Sequence, residues 1–376
     1  MSHETPVPAP IVGDASLPAI RVADPRTPAM RTVLLVFSGA IFCLLLTAAV
    51  VLPSPYAIAS PGPTFDLLEE VDGEDLVTVS GVPTYEPDGS LRITTVQLSD
   101  ASSANFTLRP VVEGWFRSDR TVVPVEYYWP EDAVDEPVSS AQQEWITSQE
   151  LATVSALSEY GVDVPAELLV VDFDPESHSI DLLQVGDLIV AAQGSQVLSL
   201  AELSDVLDGL APGDDIAITV DRGGELVDVS FATRDDGSGG AVMGVWIDPE
   251  FTLPVDVDVR IDQVGGPSAG MMFSLAILSL LTPEDEVAGA LVAGTGTVDL
   301  EGAVGPIGGI GLKMFGARAD GADFFIAPEA NCAEIVGHIP DGLGVVTVED
   351  LGEAYDALVA IGAGRGDELT ACAADA

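Results

Sequence analysis

Between Val33 and Leu52 the chain runs for 20 residues without a charged side chain. A helix of that length rises about 30 Å, the thickness of a bilayer's hydrocarbon core. One membrane-spanning helix followed by a large domain is therefore expected. Arg21, Arg26 and Arg31 precede the run, and the first charged residues after it are Asp66, Glu69 and Glu70. The bias of basic residues toward the cytoplasm puts the N-terminus inside and residues 53–376 outside, a single pass of the cell membrane. The competing reading is a cleaved signal peptide, because Ala57-Ile58-Ala59 fits the A-x-A pattern. A signal's apolar region is usually about 7–15 residues, so the anchor is preferred. Both readings make the bulk of the chain extracytoplasmic.

The chain carries 61 acids against 13 lysines and arginines, a net charge of −48. The three arginines ahead of the span balance Glu4, Asp14 and Asp24, so the whole excess faces outward. Such a surface repels phosphates and excludes nucleic acid as a partner. Three cysteines and three histidines leave little material for a metal site, and neither metal nor cofactor is expected. Cys43 lies inside the span. Cys332 and Cys372 both lie outside, where disulfides persist, and are expected to pair and tie the C-terminal tail to the body.

At about 150 residues per domain, 376 residues suggest two to three domains. Residues 53–65, rich in proline, glycine and serine, read as a stalk. Strands are expected at Leu76–Val79 and at Leu91–Leu98, the second following the turn signal Pro87-Asp88-Gly89. After an acidic loop over 130–138, a helix is expected from Ala141 to Tyr160. Ser140 and Gln143 fit its capping box, and Trp145, Leu151, Val154 and Leu157 its apolar face. Residues 167–234 have another texture. Strands at Leu168–Val171 and around Leu188–Val190 lead to a capping box at Ser199–Glu202, then to a hairpin around Gly223-Gly224. This order, with Val185-Gly186-Asp187-Leu188-Ile189 and Pro212-Gly213-Asp214-Asp215, resembles a bacterial PDZ domain over 165–236. PDZ domains bind peptide termini by strand addition. Their G-L-G-F-like carboxylate loop is expected near Leu168–Asp174 and is not found there, which leaves a PDZ-shaped spacer as the alternative. Asp235–Gly240 reads as a flexible junction. Beyond it strands alternate with helices, so the fold class is α+β.

Twelve of the 13 basic residues are arginine, and Lys313 is the only lysine. Arginine stays protonated in proteins, whereas lysine can lose its proton when buried. Lys313 stands in the apolar stretch Ile310-Gly311-Leu312-Lys313-Met314-Phe315. Upstream, Gly265-Gly266-Pro267-Ser268-Ala269-Gly270 opens a helix expected over Pro267–Leu281. That would put Ser268 at a helix N-terminus, where backbone N–H groups stabilise an oxyanion.

Gly266-Pro267-Ser268-Ala269-Gly270, then Gly294-Thr295-Gly296, then Gly305-Pro306-Ile307-Gly308-Gly309 and Lys313 resemble the proteolytic domain of the Lon-type serine–lysine proteases. Ala327-Pro328-Glu329-Ala330-Asn331 extends the resemblance, which covers about 255–350 with a serine–lysine spacing in the mid-forties. With the span and the PDZ-like stretch in front, the chain looks like a membrane-anchored PDZ–Lon protein of the YlbL type. The resemblance implies that Ser268 is the nucleophile, Lys313 the general base and Thr295 the residue that orients the lysine. Lon commonly has an acid where this chain has Gly265, so any tuning by that acid must come from elsewhere. The implied layout is a cytoplasmic tail 1–32, the span 33–52, an α+β segment 53–160, the PDZ domain 165–236, the Lon-type domain 242–360 and a tail 361–376. A PDZ domain inserted within the protease fold is also open, and would put 92–98 and 255–261 in one sheet system. The implied partners are unfolded or flexible protein substrates and the membrane, with a homo-oligomeric ring or a single copy both open.

A phosphate-binding P-loop needs Gly-Lys before Ser or Thr, but Lys313 stands between Leu312 and Met314. Cleavage without ATP is therefore expected. The start of a dinucleotide fingerprint at Gly294-Thr295-Gly296 fails at Asp299. A hydrolase triad through His338 conflicts with Pro267 in the nucleophile turn. The rival from another class is a non-catalytic PDZ/Lon-like scaffold that binds envelope proteins.

Overall fold

The computed structural model describes residues 28–51, 56–71, 73–99, 108–127, 137–261, 265–369 and 372. The glycosylation sequon Asn105-Phe106-Thr107 and most of the acidic loop over 130–138 lie outside them. In chain order the main elements are α1 (Pro28–Val51), β1 (Tyr56–Asp66), β2 (Val77–Ser80), β3 (Ser90–Leu98), α2 (Leu108–Gly114), β4 (Thr121–Pro124) and α3 (Pro137–Glu159). Then come β5 (Ala166–Phe173), β6 (Leu188–Ala192), α4 (Leu200–Asp208), β7 (Asp215–Asp221), β8 (Leu226–Ala232), β9 (Val245–Phe251) and β10 (Asp256–Val259). The chain closes with α5 (Gly270–Leu281), β11 (Leu291–Gly294), α6 (Ile310–Ala319), β12 (Phe324–Pro328), β13 (Gly344–Val348) and α7 (Leu351–Gly362).

α1 is long and apolar enough to cross a membrane, and its 18-residue window Met30–Thr47 is covered by nothing else in the fold. α5 is as apolar but has only 12 residues, too short to span. It is buried on all sides, as a helix apolar all round must be.

One sheet has the order β13-β12-β11-β3-β1-β4. β3, β11, β12 and β13 run parallel, and β1 is antiparallel to both neighbours. Its strands alternate faces residue by residue. Val292, Ile326 and Val346 join the core of α3, α5 and α7, while Ala293, Phe325 and Val345 pack with Ile310 and Met314 of α6. The result is helix–sheet–helix layering. α3 closes one side through an edge-to-face contact of Trp145 with Phe273, centroids 5.2 Å apart.

The stretch expected to be a stalk is instead β1, an interior strand. Pro61 and Pro63 suggest a linker, but a register shift between Pro61 and Thr64 accommodates prolines that cannot donate to the ladder. Gly62 is needed there, since a Cβ would meet Thr95 Oγ1 at 2.2 Å. Ser140 lies within α3, which starts at Pro137, so the expected capping box is not its start. Asp235–Gly240 is not a loose junction. It turns a short hairpin, with Asp236 Oδ1 accepting from the backbone N–H of Ser238 and Gly240 at 2.7 and 3.0 Å.

A second sheet, β8-β7-β6-β5-β9, is built from one stretch of chain. β9 pairs with β5, so residues 245–251 belong to this sheet, and the domain boundary expected near 242 moves beyond them. The unit leaves and rejoins the rest of the chain side by side, where the Thr252 N–H donates to the Pro165 carbonyl at 2.8 Å. β2, before it, pairs antiparallel with β10, after it. The sheet that the inserted-PDZ alternative would have 92–98 share with 255–261 does not form. Ser90–Ile93 pair with Leu291–Gly294 instead, and Val77–Ser80 take Asp256–Val259.

Asp187 anchors this unit. Its carboxylate is buried and accepts from Arg222 Nε and Nη2 at 2.7 and 2.6 Å and from the Gln184 N–H at 2.8 Å. The Arg222 guanidinium holds its carboxyl below the usual carboxylate range. Asp187→Ala leaves a guanidinium and a backbone N–H without their acceptor. A loss of about 2–4 kcal/mol is expected in urea unfolding followed by Trp246 fluorescence, with a smaller loss for Asp187→Asn.

Candidate active site

The parallel strands β11 and β12 end at Gly294 and Pro328, and the chemistry gathers at that edge. Side chains at the carboxyl ends of parallel strands line crevices because the chain must leave the sheet there. Thr295 follows β11 directly. Ser268 sits in the turn before α5, whose first residue is Gly270, so the serine precedes the helix rather than lying in its first turn. Lys313 is in the first turn of α6, which begins after Gly309 in the left-handed conformation, φ +72°. A residue with a Cβ at Gly309 would be strained there and would press Val96 Cγ2 at 3.0 Å.

Lys313 Nζ donates to Ser268 Oγ at 2.8 Å and to Thr295 Oγ1 at 2.8 Å. The Thr295 hydroxyl in turn donates to the Ser268 carbonyl oxygen at 2.8 Å, and the Gly296 N–H donates to the same oxygen at 2.9 Å. This wiring fixes direction. The threonine proton is spent on the serine carbonyl, so Thr295 Oγ1 can only accept from the lysine. A neutral Lys313 that still donates one N–H to Thr295 can turn its lone pair to the Ser268 hydroxyl proton.

Lys313 is 4% exposed and Thr295 1%. Burial alone pushes the Lys313 ammonium down from 10.5 to about 8. Ser268 is half-buried and opens into a groove of about 570 Å³, floored in part by Thr94–Leu98 of β3. β11 covers only residues 90–93 of β3, so its last five residues keep a strand edge along the groove that pairs with none of the described residues.

Two neighbours hold the site, neither of them singled out as a site residue by the sequence. Ser148 of α3 donates to the Pro267 carbonyl at 3.2 Å, bracing the nucleophile turn from a helix 119 residues earlier. Asn331 is buried and clamps Ile307, accepting from its N–H and donating to its carbonyl, both at 2.9 Å. This fixes the Gly305–Gly309 approach to α6. Asn331 ends the Ala327–Asn331 motif, which was the available signal. Cys332 follows it and is bonded to Cys372, with Cα atoms 5.3 Å apart. His338 lies on the far side of α6, beside Gly311, and Ser268 Oγ has no partner but Lys313 among the described residues.

The model of the Lon protease (S16) C-terminal proteolytic domain matches residues 248–360, which contain Ser268, Thr295 and Lys313. The chain carries a Lon-type proteolytic domain. The Lon-type domain is 33% identical over 117 residues to the Lon protease of Clostridioides difficile, covering 29% of this chain and 15% of that protein. It is 34% identical over 113 residues to Lon protease 2 of Bacillus subtilis, covering 28% and 20%. The chain thus spans a fifth or less of the length of these relatives. A PDZ domain model matches residues 152–233. The PDZ domain of an SdrC-like protein from Listeria monocytogenes is 22% identical, over 22% of this chain and 86% of that one, with a TM-score of 0.21.

The PDZ domain has its own cleft, about 260 Å³, between α4 and the start of β9. The turn entering β9 is Val242-Met243-Gly244-Val245, with Gly244 at φ +68°. It shares with the G-L-G-F signature only the apolar-glycine-apolar order of Met243-Gly244-Val245. The strand beside the helix comes last in this unit, not first.

Thr295→Val removes the acceptor that orients the lysine but keeps the shape. A fall of about 10- to 100-fold in kcat is expected with little change in KM. Thr295→Ser should restore most of it.

Proposed function

We propose that this chain is a membrane-anchored serine endopeptidase that cleaves unfolded or flexible chains outside the cell membrane without ATP. The observation that carries the proposal is the buried Lys313 amine 2.8 Å from Ser268 Oγ, with no acid beside it among the described residues. In the reaction, neutral Lys313 takes the Ser268 hydroxyl proton as Oγ attacks the scissile carbonyl. The tetrahedral oxyanion forms where the Ser268 N–H, which donates to none of the described residues, can receive it. The Lys313 ammonium then gives its proton to the departing amine and leaves an ester on Ser268. A water that passes its proton to Lys313 hydrolyses the ester, releasing the carboxylic acid and restoring the serine.

Substrate enters extended, pairing with the unpaired edge of β3 beside Ser268. A folded domain offers no such strand, and this chain carries no P-loop to unfold one. α1 serves as the anchor, with the N-terminus cytoplasmic and the arginines ahead of its uncharged run held inside. The PDZ cleft between α4 and β9 delivers flexible chains to the groove. In this division the PDZ domain interrupts the protease fold, whose first part is residues 56–159. The test uses the full chain in detergent micelles with a permanently unfolded protein and a folded control, each with and without ATP. Cleavage of the unfolded protein alone, at equal rates with and without nucleotide, is expected. No cleavage of either at pH 9 would leave the scaffold reading.

A further inference from the structure

Phe116 is the most exposed large apolar side chain among the described residues, at 87%. Trp115 beside it is 61% exposed and Val112 is 44% exposed. The spacing of 112, 115 and 116 puts all three on one face of α2 and its last turn. The adjoining side of the helix is seated in the fold through Val111 and Gly114, both buried. Scattered exposed apolar residues are ordinary, but two aromatics and a valine together form a patch.

Its position says what covers it. Trp115 stands edge-on to Tyr56, centroids 6.3 Å apart, and Tyr56 is the first residue of β1. Only residues 52–55 separate Tyr56 from the end of α1, and α1 touches α2. Tryptophan and tyrosine favour this level of a bilayer, where a ring can sit among acyl chains and its polar edge among headgroups. Charge agrees. Residues 108–127 carry Arg109, Arg117 and Arg120 against Glu113, Asp119 and Glu126, so the segment is neutral within a region of ten basic residues and 58 acids. Arg117 is paired with Asp119 at 2.5 Å and Arg109 with Glu113 at 3.0 Å.

We propose that Val112, Trp115 and Phe116 form a second membrane contact, lying in the bilayer interface beside the span. This rests on the reading of α1 as a membrane helix. The contact fixes the height of the groove. From Tyr56 to Pro63, which lines the groove, β1 climbs about 23 Å at about 3.3 Å per residue. Beyond Phe116, Ser118 and Thr121 border a cavity of about 440 Å³ with Gly311 and Leu312 of α6, the helix that carries Lys313. The groove is thereby held near the bilayer, where it meets chains tethered to the membrane or emerging from it.

The test uses the full chain in phosphatidylcholine nanodiscs with a nitroxide on one cysteine at a time. Cys43, the free cysteine of the span, reports on α1. Phe116→Cys in a Cys43→Ala background reports on the patch, and Glu225→Cys in the same background gives an exposed reference. At Phe116→Cys, access to a water-soluble nickel complex should fall at least about fivefold from the reference while access to oxygen rises. Nickel access equal to the reference, with Cys43 protected, would overturn the proposal and leave the span standing. Shielding from both reagents would also overturn it, because a protein surface would then cover the patch. Nickel access at Cys43 would overturn the span and the proposal together.

Discussion

Ser268→Ala is expected to lower the rate of peptide-bond cleavage by at least about 10⁴-fold while leaving the fold in place. The side chain contributes one oxygen to the site, and its only hydrogen-bond partner among the described residues is Lys313 Nζ. The Ser268 backbone carbonyl, which takes the Thr295 hydroxyl and the Gly296 N–H, is untouched by the substitution. Circular dichroism and the unfolding midpoint should therefore match those of the parent. The buried lysine keeps Thr295 as acceptor, and the half-buried position of Ser268 admits a water in place of Oγ. A variant with unchanged cleavage would place the nucleophile elsewhere. A variant dead in cleavage and also unfolded would make Ser268 a structural residue. The variant should still bind an unfolded chain, which allows bound substrate to be trapped and its register against β3 read by cross-linking.

The dyad was legible because composition isolates it. With arginine at the twelve other basic positions, Lys313 stands out before any family is considered, and the glycine-rich motifs at 266–270, 294–296 and 305–309 set its context. Of those glycines, Gly266 and Gly309 mark turns at positive φ, a short-range signal, whereas Gly294 and Gly296 are required by the close approach of Met272 and Val304. What was not legible depends on partners far along the chain. β1 looks like a linker because proline and glycine oppose strands locally, yet pairing with β3 and β4 on both sides outweighs that preference. The cleft between α4 and β9 was not legible because strand order in space is not order in sequence. Ser148 braces the nucleophile turn across 119 residues, and no local pattern announces such a contact. The apolar run at 33–52 was legible by length alone, and it differs from α5 in that the fold leaves the Met30–Thr47 window of α1 unburied.

Lys313→Met should be inactive and more stable than the parent at pH 7, an opposition that a structural lysine would not show. In the folded protein the ammonium titrates near 8, against 10.5 when solvated. The folded chain therefore binds fewer protons than the unfolded chain between those values, and stability rises with pH across that window. Below about 8 the full charging cost is present, about 3 kcal/mol at about 1.36 kcal/mol per unit. Methionine has similar length and no charge, so it relieves that cost, less the two hydrogen bonds to Ser268 and Thr295. A net gain of about 2 kcal/mol in urea unfolding is expected at pH 7, shrinking to zero or below above pH 10.5, where the parent lysine is neutral in both states. The same titration governs catalysis. The general base is the neutral amine, so kcat/KM of the parent should climb tenfold per pH unit below 8 and level off above it. Lys313→Arg keeps the charge, loses the ability to shed the proton and should be inactive at every pH. A Lys313→Met variant less stable than the parent at pH 7 would mean that the ammonium is solvated or paired, and the general-base role would fall with it.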